Sequence, residues 1–585
     1  MKFSIITPTI GHPTLSKLLV SVSSQLINED IQIEHIIVID GPEYKNEVQN
    51  ILNIIPIQNN HERHIIELPY NTGRNGYFGH KIYSSITHLV NGDFVIYLDN
   101  DNWLDNDHIL NYYNAIKQYN YDWMFCLRKI WDIQGNYICN DDCESLGYIS
   151  NSFYNRDVYF IDTNCTCVKK EIAVKFCYVW NNMGTNNNND PDRIYSRILM
   201  TLYPNYECTF KYSVNYSVEN RTQSVNQNMF LNGNQLVYNK YGEIPWNKKQ
   251  LFIAHFDVDN TEKIIERIYE NHKECIAFDQ WSLNIMDKMD DYICISAYNP
   301  FIPSNKKVLF HMCHINLLPK KVLERKDVTK ILYTIESPNI RHQEQWDCNF
   351  LLSNFTHIIT YWKTFINNSN KITHNNTNNN IIYFPFIHRY DLTNSNDVNC
   401  IKTNDNLNKQ VCIVLENRNL CNHYQINGTK LNALDYLRWE YCKELGKQVD
   451  CYGSTWKKYS DIINYKATQL RFLNKVRTID IMQNYTFALI IENCDAEGYV
   501  SEKIYDAISV GCIPIYYGNN NLDVNIPSDC YIDLKNIKPK VLPKFLNILN
   551  NELINTYKQN IYEKRMNILK NVSINKYNDL LKTII

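Results

Sequence analysis

The stretch Phe487–Gly518, FALIIENCDAEGYVSEKIYDAISVGCIPIYYG, decides the architecture of the second half of the chain. Phe487 to Ile491 is an apolar strand that ends in a polar tip, Glu492-Asn493-Cys494. Ser501 then stands where a helix N-cap is expected, and Glu502 and Lys503 fall in the first turn. Ile513 to Tyr517 reads as a second strand, with Pro514 at its start, an allowed place. Strand, helix and strand make a βαβ unit of a parallel sheet. A helix amino terminus favours anions, so Lys503 is unfavourable for the helix itself. A ligand that offsets this cost, such as a nucleotide diphosphate, accounts for it. A solvated helix start is the alternative for Glu502 and Lys503 on the residues alone.

Upstream of this unit lies another strand, Val411-Cys412-Ile413-Val414-Leu415, preceded by polar segments at Asn367–Asn380 and Asp391–Asn408. The βα rhythm restarts at Leu251-Phe252-Ile253-Ala254, after a polar linker at Tyr238–Gln250. Before the linker, Phe3-Ser4-Ile5-Ile6-Thr7 is a strand. Leu15, Leu18, Leu19, Val22 and Leu26 then share a helical face. Glu34 to Asp40 and Phe94 to Asp99 are further buried strands, so a mostly parallel sheet covered on both faces is expected. At 585 residues the chain exceeds what one core supports. We divide it at 1–245, 250–405, 406–545 and a terminal helical stretch, 546–585.

Ligands of open parallel sheets sit beyond the carboxyl ends of the strands. Asp40 ends one strand and could accept hydrogen bonds from a base or ribose. Asp99 ends another, with Asp101 two residues on, in Leu98-Asp99-Asn100-Asp101-Asn102. Two such carboxylates can hold Mg²⁺ or Mn²⁺ against a diphosphate. The same residue types also make a plain turn. In Asn189-Asp190-Pro191-Asp192-Arg193, Pro191 suits a first helical turn. Asp192 there is either a general base or, like Asp190, a helix cap.

The strings SIITPTIGHPTLSKLLVSVSSQ, HIIVIDGP, ELPYNTGRNGYFGHKIYSS and GDFVIYLDNDNWL together resemble family 2 glycosyltransferases of the GT-A fold. The resemblance covers about residues 2–230. It implies a single Rossmann-like mixed sheet, with Thr7, Pro8 and Asp40 at the nucleotide. Asp99 and Asp101 would lie at metal and diphosphate, and Asp192 would be the base. FALIIEN, YVSEKIYDAI and GCIPIYYG, with Leu332–Asn339, Phe355–Tyr361 and Arg438–Gly453, resemble family 10 α1,3/4-fucosyltransferases. That resemblance implies a GT-B module of two Rossmann-like lobes, GDP-fucose as donor and inversion at the anomeric carbon, without a metal. Glu336 would take the acceptor proton, and Arg438 and Lys503 would face the diphosphate. Glu502 would stabilise charge near the fucose, while Asn493 and Tyr499 would lie at the nucleotide.

Composition bounds the rest. A net charge of -3 offers no basic field for nucleic acid or a membrane surface, and no apolar run is long enough to span a bilayer. Met1-Lys2-Phe3-Ser4 has no signal-peptide profile, and the 19 cysteines are scattered singly. Reduced thiols and a cytoplasmic setting are expected (a host's cytoplasm if the gene is viral). Cys139, Cys143, Cys165 and Cys167 match no common zinc-finger spacing. The expectation is an α/β bifunctional glycosyltransferase. Its amino-terminal domain would be metal-dependent with a nucleotide-sugar donor, UDP-linked in the first instance. Its carboxy-terminal domain would transfer fucose α1,3 to a glycan acceptor. The alternative is an active carboxy-terminal enzyme with an amino-terminal glycan- or nucleotide-binding module.

Overall fold

The computed structural model describes residues 1–57, 60–150, 152, 159–182, 190–218, 225–241, 249–254, 261, 292–311, 320–334, 348–362, 380–384, 410–415, 423–426, 429–466, 478–518 and 526–585. They fall into two units, Met1–Lys249 with Asn299–Lys306, and Gln250–Tyr298 with Lys307–Ile585.

The first unit runs β1 (Lys2–Thr9), α1 (Leu15–Ser23), β2 (Gln32–Ile39), α2 (Lys45–Ile54), β3 (His61–Glu67), α3 (His80–Ile86), β4 (Phe94–Tyr97), β5 (Trp103–Leu104), α4 (His108–Tyr119), β6 (Trp123–Trp131), β7 (Tyr137–Asn140), β8 (Thr166–Lys169), α5 (Lys170–Phe176), α6 (Pro191–Leu202), β9 (Tyr206–Ser217) and α7 (Gln227–Tyr241). Its sheet has the order β3-β2-β1-β4-β8-β6-β9-β5, with β7 beside β6. β3, β2, β1 and β4 pair in parallel; apolar runs predict β1, β2 and β4, whereas β3 (HERHIIE) has none. Beyond β4 the sheet is mixed: β8 is antiparallel to β4 and β6, and β9 is parallel to β6. The expectation of a mostly parallel sheet thus holds for one half only.

α1 buries Leu15, Leu18, Leu19 and Val22, but it stops at Ser23 and leaves Leu26 49% exposed. The serines end it: the Ser23 hydroxyl donates to Val20 O at 3.1 Å, and the Gln25 amide folds back to Ser21 O at 2.9 Å. Tyr238–Tyr241, read as linker, completes α7 instead. Asn299–Lys306, which the linear division gives to the second half, packs with the first unit. There Asn299 Nδ2 donates to Tyr148 O at 2.9 Å, and Lys306 pairs with Glu207 at 2.5 Å.

The second unit holds two lobes, each built on a six-stranded sheet. The first lobe comprises β10 (Lys249–Ala254), β11 (Tyr292–Ser296), β12 (Lys307–His311), α8 (Lys320–Leu323), β13 (Thr329–Thr334), α9 (Cys348–Asn354), β14 (His357–Thr360) and β15 (Asn380–Tyr383). Its strand order is β11-β10-β12-β13-β14-β15, parallel from β10 to β15. The second lobe runs β16 (Val411–Val414), β17 (His423–Ile426), β18 (Thr429–Asn432), α10 (Asp435–Leu445), β19 (Val449–Tyr452), β20 (Asn464–Lys466), α11 (Thr478–Met482), β21 (Phe487–Ile491), α12 (Glu502–Ser509), β22 (Ile513–Tyr517) and β23 (Ile532–Asp533). Its parallel sheet has the order β20-β19-β16-β21-β22-β23. The described residues are therefore α/β, with one mixed sheet, two six-stranded sheets whose described pairings are parallel, and the antiparallel pair β17–β18.

The last helices, α13 (Leu542–Ile548), α14 (Asn551–Asn571) and α15 (Ile574–Ile584), divide between the two lobes. Ile554, Ile561 and Ile568 of α14 enter the core of the second lobe. Tyr577 and Leu581 of α15 enter the core of the first, where the Tyr577 ring lies 4.6 Å from Tyr333 and 5.5 Å from Phe384. The carboxy terminus thus straps the lobes together rather than trailing from them. Removing this ring leaves a cavity in that core. We expect Tyr577→Ala to cost about 3 kcal/mol of stability, read as a lower midpoint in chemical denaturation.

Candidate functional site

In the first unit β1, β2 and β4 end at one edge, and a cleft of about 520 Å³ opens there. Pro8, Asp40, Asp99 and Asp101 all line it. Thr7 does not. It is fully buried one residue earlier in β1, with its hydroxyl 2.9 Å from His35 Nε2, and Thr9 reaches the cleft in its place.

Asp40 organises the wall of the cleft. Its Oδ1 accepts from the Thr72 amide and hydroxyl at 2.6 and 2.9 Å, and its Oδ2 from the Gly73 amide at 2.9 Å. Gly73 must be glycine, because a Cβ there would lie 2.3 Å from Phe78 O. Gly79 packs as closely on Pro8, where a Cβ would meet the ring at 2.7 Å. The loop from Asn71 to His80 is therefore held at both ends.

Asp99 is held just as firmly. Tyr83 Oη donates to its Oδ1 at 2.6 Å and Asn164 Nδ2 to its Oδ2 at 2.9 Å, while the Asp99 amide donates to Asn164 Oδ1 at 2.8 Å. Asn164 Nδ2 also donates to Asp162 Oδ1 at 2.9 Å, and Arg128 binds Asp162 at 2.5 Å and Asp141 at 2.8 Å. Arg128 in turn lies 4.3 Å beneath the ring of Tyr216, another wall of the cleft. No motif flags Tyr83, Asn164 or Tyr216, because they come from separate elements. His80 also lines the cleft, and burial holds its pKa below the usual value against the pull of Asp99 and Asp190.

Asp190 stands at the N-cap of α6 without a side-chain cap bond. Asp192 accepts from the neighbouring Arg193 amide at 2.7 Å. Burial first, and the charge of Asp162 second, push its pKa up to about 6. A carboxyl so tuned is still ionised at neutral pH and accepts a proton more readily than an ordinary aspartate. Two carboxylates on one wall suit Mg²⁺ or Mn²⁺, which take few protein ligands and leave positions for phosphate oxygens and water. The residues present fit such an ion. The four cysteines weighed for zinc form no ligand cluster; among the described residues only Glu34, Glu62 and His64 bring three such atoms within 4.8 Å.

In the second unit the expected site residues gather at the turn between β21 and α12. Arg438 of α10 is buried, not a surface cation. Its Nε and Nη2 both donate to Ile491 O, at 3.0 and 2.8 Å. Nη2 also reaches Asn493 Oδ1 at 2.7 Å, and Nη1 binds Asp435 at 2.5 Å. Asn493 Nδ2 in turn meets Tyr499 Oη at 3.3 Å. The Tyr499 ring touches Tyr361 of the first lobe, with centroids 5.1 Å apart. Gly498, at φ 84°, allows the tight turn that aims Tyr499.

Glu502 and Lys503 open α12 as expected, 3.1 Å apart. Ser501 occupies the N-cap position with extended backbone, but its hydroxyl makes no cap bond. Its amide is bound instead by Glu492 Oε1 at 2.8 Å, and its hydroxyl lies 3.4 Å from Lys503 Nζ. Glu492, which sequence reasoning passed over, is thus part of the turn. Glu336 lies outside the described residues.

Residues 426–576 match the model of glycosyltransferase family 10 (fucosyltransferase) C-term. Alpha-(1,3)-fucosyltransferase B of Drosophila melanogaster is 30% identical over 131 residues, 21% of this chain and 29% of its own length. The chain spans about a third or less of the length of the curated relatives it matches. A solved α1,3-fucosyltransferase with GDP is similar at 18% identity, over 58% of this chain and 90% of that one, with a TM-score of 0.36. S. aureus TarS 1-349 in complex with UDP-GlcNAc is similar at 15% identity, over 48% and 70%, with a TM-score of 0.29. The carboxy-terminal segment of this chain, residues 426–576, carries a glycosyltransferase family 10 domain.

Proposed function

We propose that the chain is a bifunctional glycosyltransferase whose second unit transfers fucose from GDP-fucose, with α1,3 linkage, to a glycan. One observation carries this reading. Within the family 10 match, the turn after β21 draws Asn493, Tyr499, Glu502 and Lys503 together at a helix amino terminus. Such an end favours the diphosphate of a nucleotide, and Lys503 adds a full positive charge. As the bond from the anomeric carbon to the diphosphate breaks, GDP gains charge, which Lys503 and the helix terminus stabilise. Arg438 acts from beneath, holding Asn493 towards Tyr499 and adding its field. Glu336 takes the proton of the acceptor hydroxyl as that oxygen bonds to carbon from the opposite face, which inverts the centre.

The first unit is proposed to transfer a second sugar from a nucleotide-sugar, UDP-linked in the first instance. Asp99 and Asp101 would hold Mg²⁺ or Mn²⁺, which when bound supplies charge for the leaving diphosphate. Asp40 fixes the loop that walls the nucleotide, and Asp192 takes the acceptor proton. Both acceptors are glycans or glycoconjugates. Tethering the two sites raises the local concentration of any shared intermediate. The described residues contain no helix long and apolar enough to cross a membrane. A cytoplasmic location remains part of the proposal.

The test is a screen of nucleotide-sugars with the full-length chain and a panel of glycan acceptors. Fucosyl transfer should persist in EDTA and fall by about 100-fold in Lys503→Ala. A second transfer should vanish in EDTA and in Asp101→Asn, with Lys503→Ala leaving it intact. If Asp101→Asn and Asp99→Asn spare every transfer, the first unit is a binding module instead. Asp192→Asn should lower the second transfer by at least about 100-fold. Because the acid form of Asp192 cannot accept a proton, that rate should decline as pH drops through about 6. A carboxylate of ordinary pKa would keep the rate level to near pH 4, and such a profile would remove Asp192 from the role.

A further inference from the structure

The three sequence blocks of the donor turn meet at one buried carboxylate. Glu492 closes the first block and is 1% exposed. Its Oε1 accepts from the amide of Ser501, in the second block, at 2.8 Å. The same oxygen lies 3.2 Å from the hydroxyl of Tyr516, in the third. Gly518 lets that hydroxyl approach, since a Cβ there would stand 2.2 Å from Tyr516 Oη and 2.9 Å from Glu492 Cγ. The Glu492 amide also donates to Tyr517 O at 2.9 Å, which fixes the backbone from the same side.

The other oxygen, Oε2, is buried and has no hydrogen-bond partner among the described residues. A buried carboxylate oxygen without a partner is costly, while the other oxygen serves the Ser501 amide and the Tyr516 hydroxyl, both buried. Burial raises the pKa of Glu492, while Lys503 acts in the opposite direction. The carboxyl is kept at that cost where it grips the residue before Glu502 and Lys503, which ties it to the placing of the first turn of α12. Ser501 has no side-chain cap of its own, so the Glu492 bond is what fixes its amide at the start of α12.

We propose that Glu492 is a positioning residue for the donor, setting the turn that presents Glu502 to the fucose and Lys503 to the diphosphate. The inference rests on the reading of the second unit as a GDP-sugar site. Glu492→Met removes the acceptor and leaves the Ser501 amide and the Tyr516 hydroxyl unpaired; Tyr516→Phe gives up only the second of these bonds; Glu492→Gln keeps an acceptor oxygen at Oε1. All three are made in the full-length chain, with thermal unfolding and GDP titration as readouts.

Glu492→Met and Tyr516→Phe should both unfold below the wild-type temperature, but only Glu492→Met, titrated well below its unfolding temperature, should bind GDP at least about tenfold more weakly. Glu492→Gln and Tyr516→Phe should keep affinity within about threefold of wild type. An ordinary core residue behaves otherwise, with affinity following stability through all three variants. That result overturns the proposal, as does undiminished GDP binding by Glu492→Met or equal losses in Met and Gln. If the wild-type chain has no affinity for GDP, the reading of the site fails first and the inference falls with it.

Discussion

Two buried charges of opposite sign fix the turn after β21, and the chemistry assigned to the second unit depends on them. The Arg438 fork closes on the Ile491 carbonyl, and Glu492, the next residue, grips the Ser501 amide. Between these anchors the chain makes the loop that carries Asn493 and Tyr499. The loop is also stitched to the preceding strand, where the Asn432 amide donates to Asp495 Oδ1 at 2.7 Å. A helix amino terminus can stabilise a leaving phosphate only if its amides and first-turn side chains are already in place. Here that preorganisation comes from the buried side chains of Arg438 and Glu492.

The first unit follows the same logic with the charges reversed. Its cleft is walled by acids, and neighbouring side chains orient those acids: Asp40 through the Thr72–Gly73 amides, Asp99 through Tyr83 and Asn164. One unit would bring its own cation on a lysine, and the other would borrow one from solution. That contrast is why EDTA separates the two proposed activities.

Much of the fold was legible because apolar runs bounded by turn residues admit few alternatives. Phe94–Tyr97, Val411–Val414 and Ile513–Tyr517 are strands where their residues say they are, and Asp40 and Asp99 stand at strand ends on one cleft. What escaped was set by partners distant in sequence. Thr7 and Thr9 share a face of β1, and only the point where the strand ends decides which one reaches the cleft. Arg438 reads as a cation for the diphosphate, and only the packing of β21 turns its guanidinium onto the Ile491 carbonyl. Ser501 stands at the N-cap as its sequence says, but the bond that holds it there comes from Glu492. The antiparallel half of the first sheet depends on pairings distant in sequence, such as Ile96 with Cys167 and Trp103 with Asn215, and the division of α14 and α15 between two cores on lobe geometry. No local period encodes either one.

The central claim is that the turn after β21 binds a guanosine diphosphate without a metal. Calorimetric titration of GDP into the full-length chain in EDTA tests it most directly. The account predicts saturable binding that Lys503→Ala weakens and Asp101→Asn leaves alone. Absence of binding, or binding that chelation or Asp101→Asn removes while Lys503→Ala does not, contradicts it.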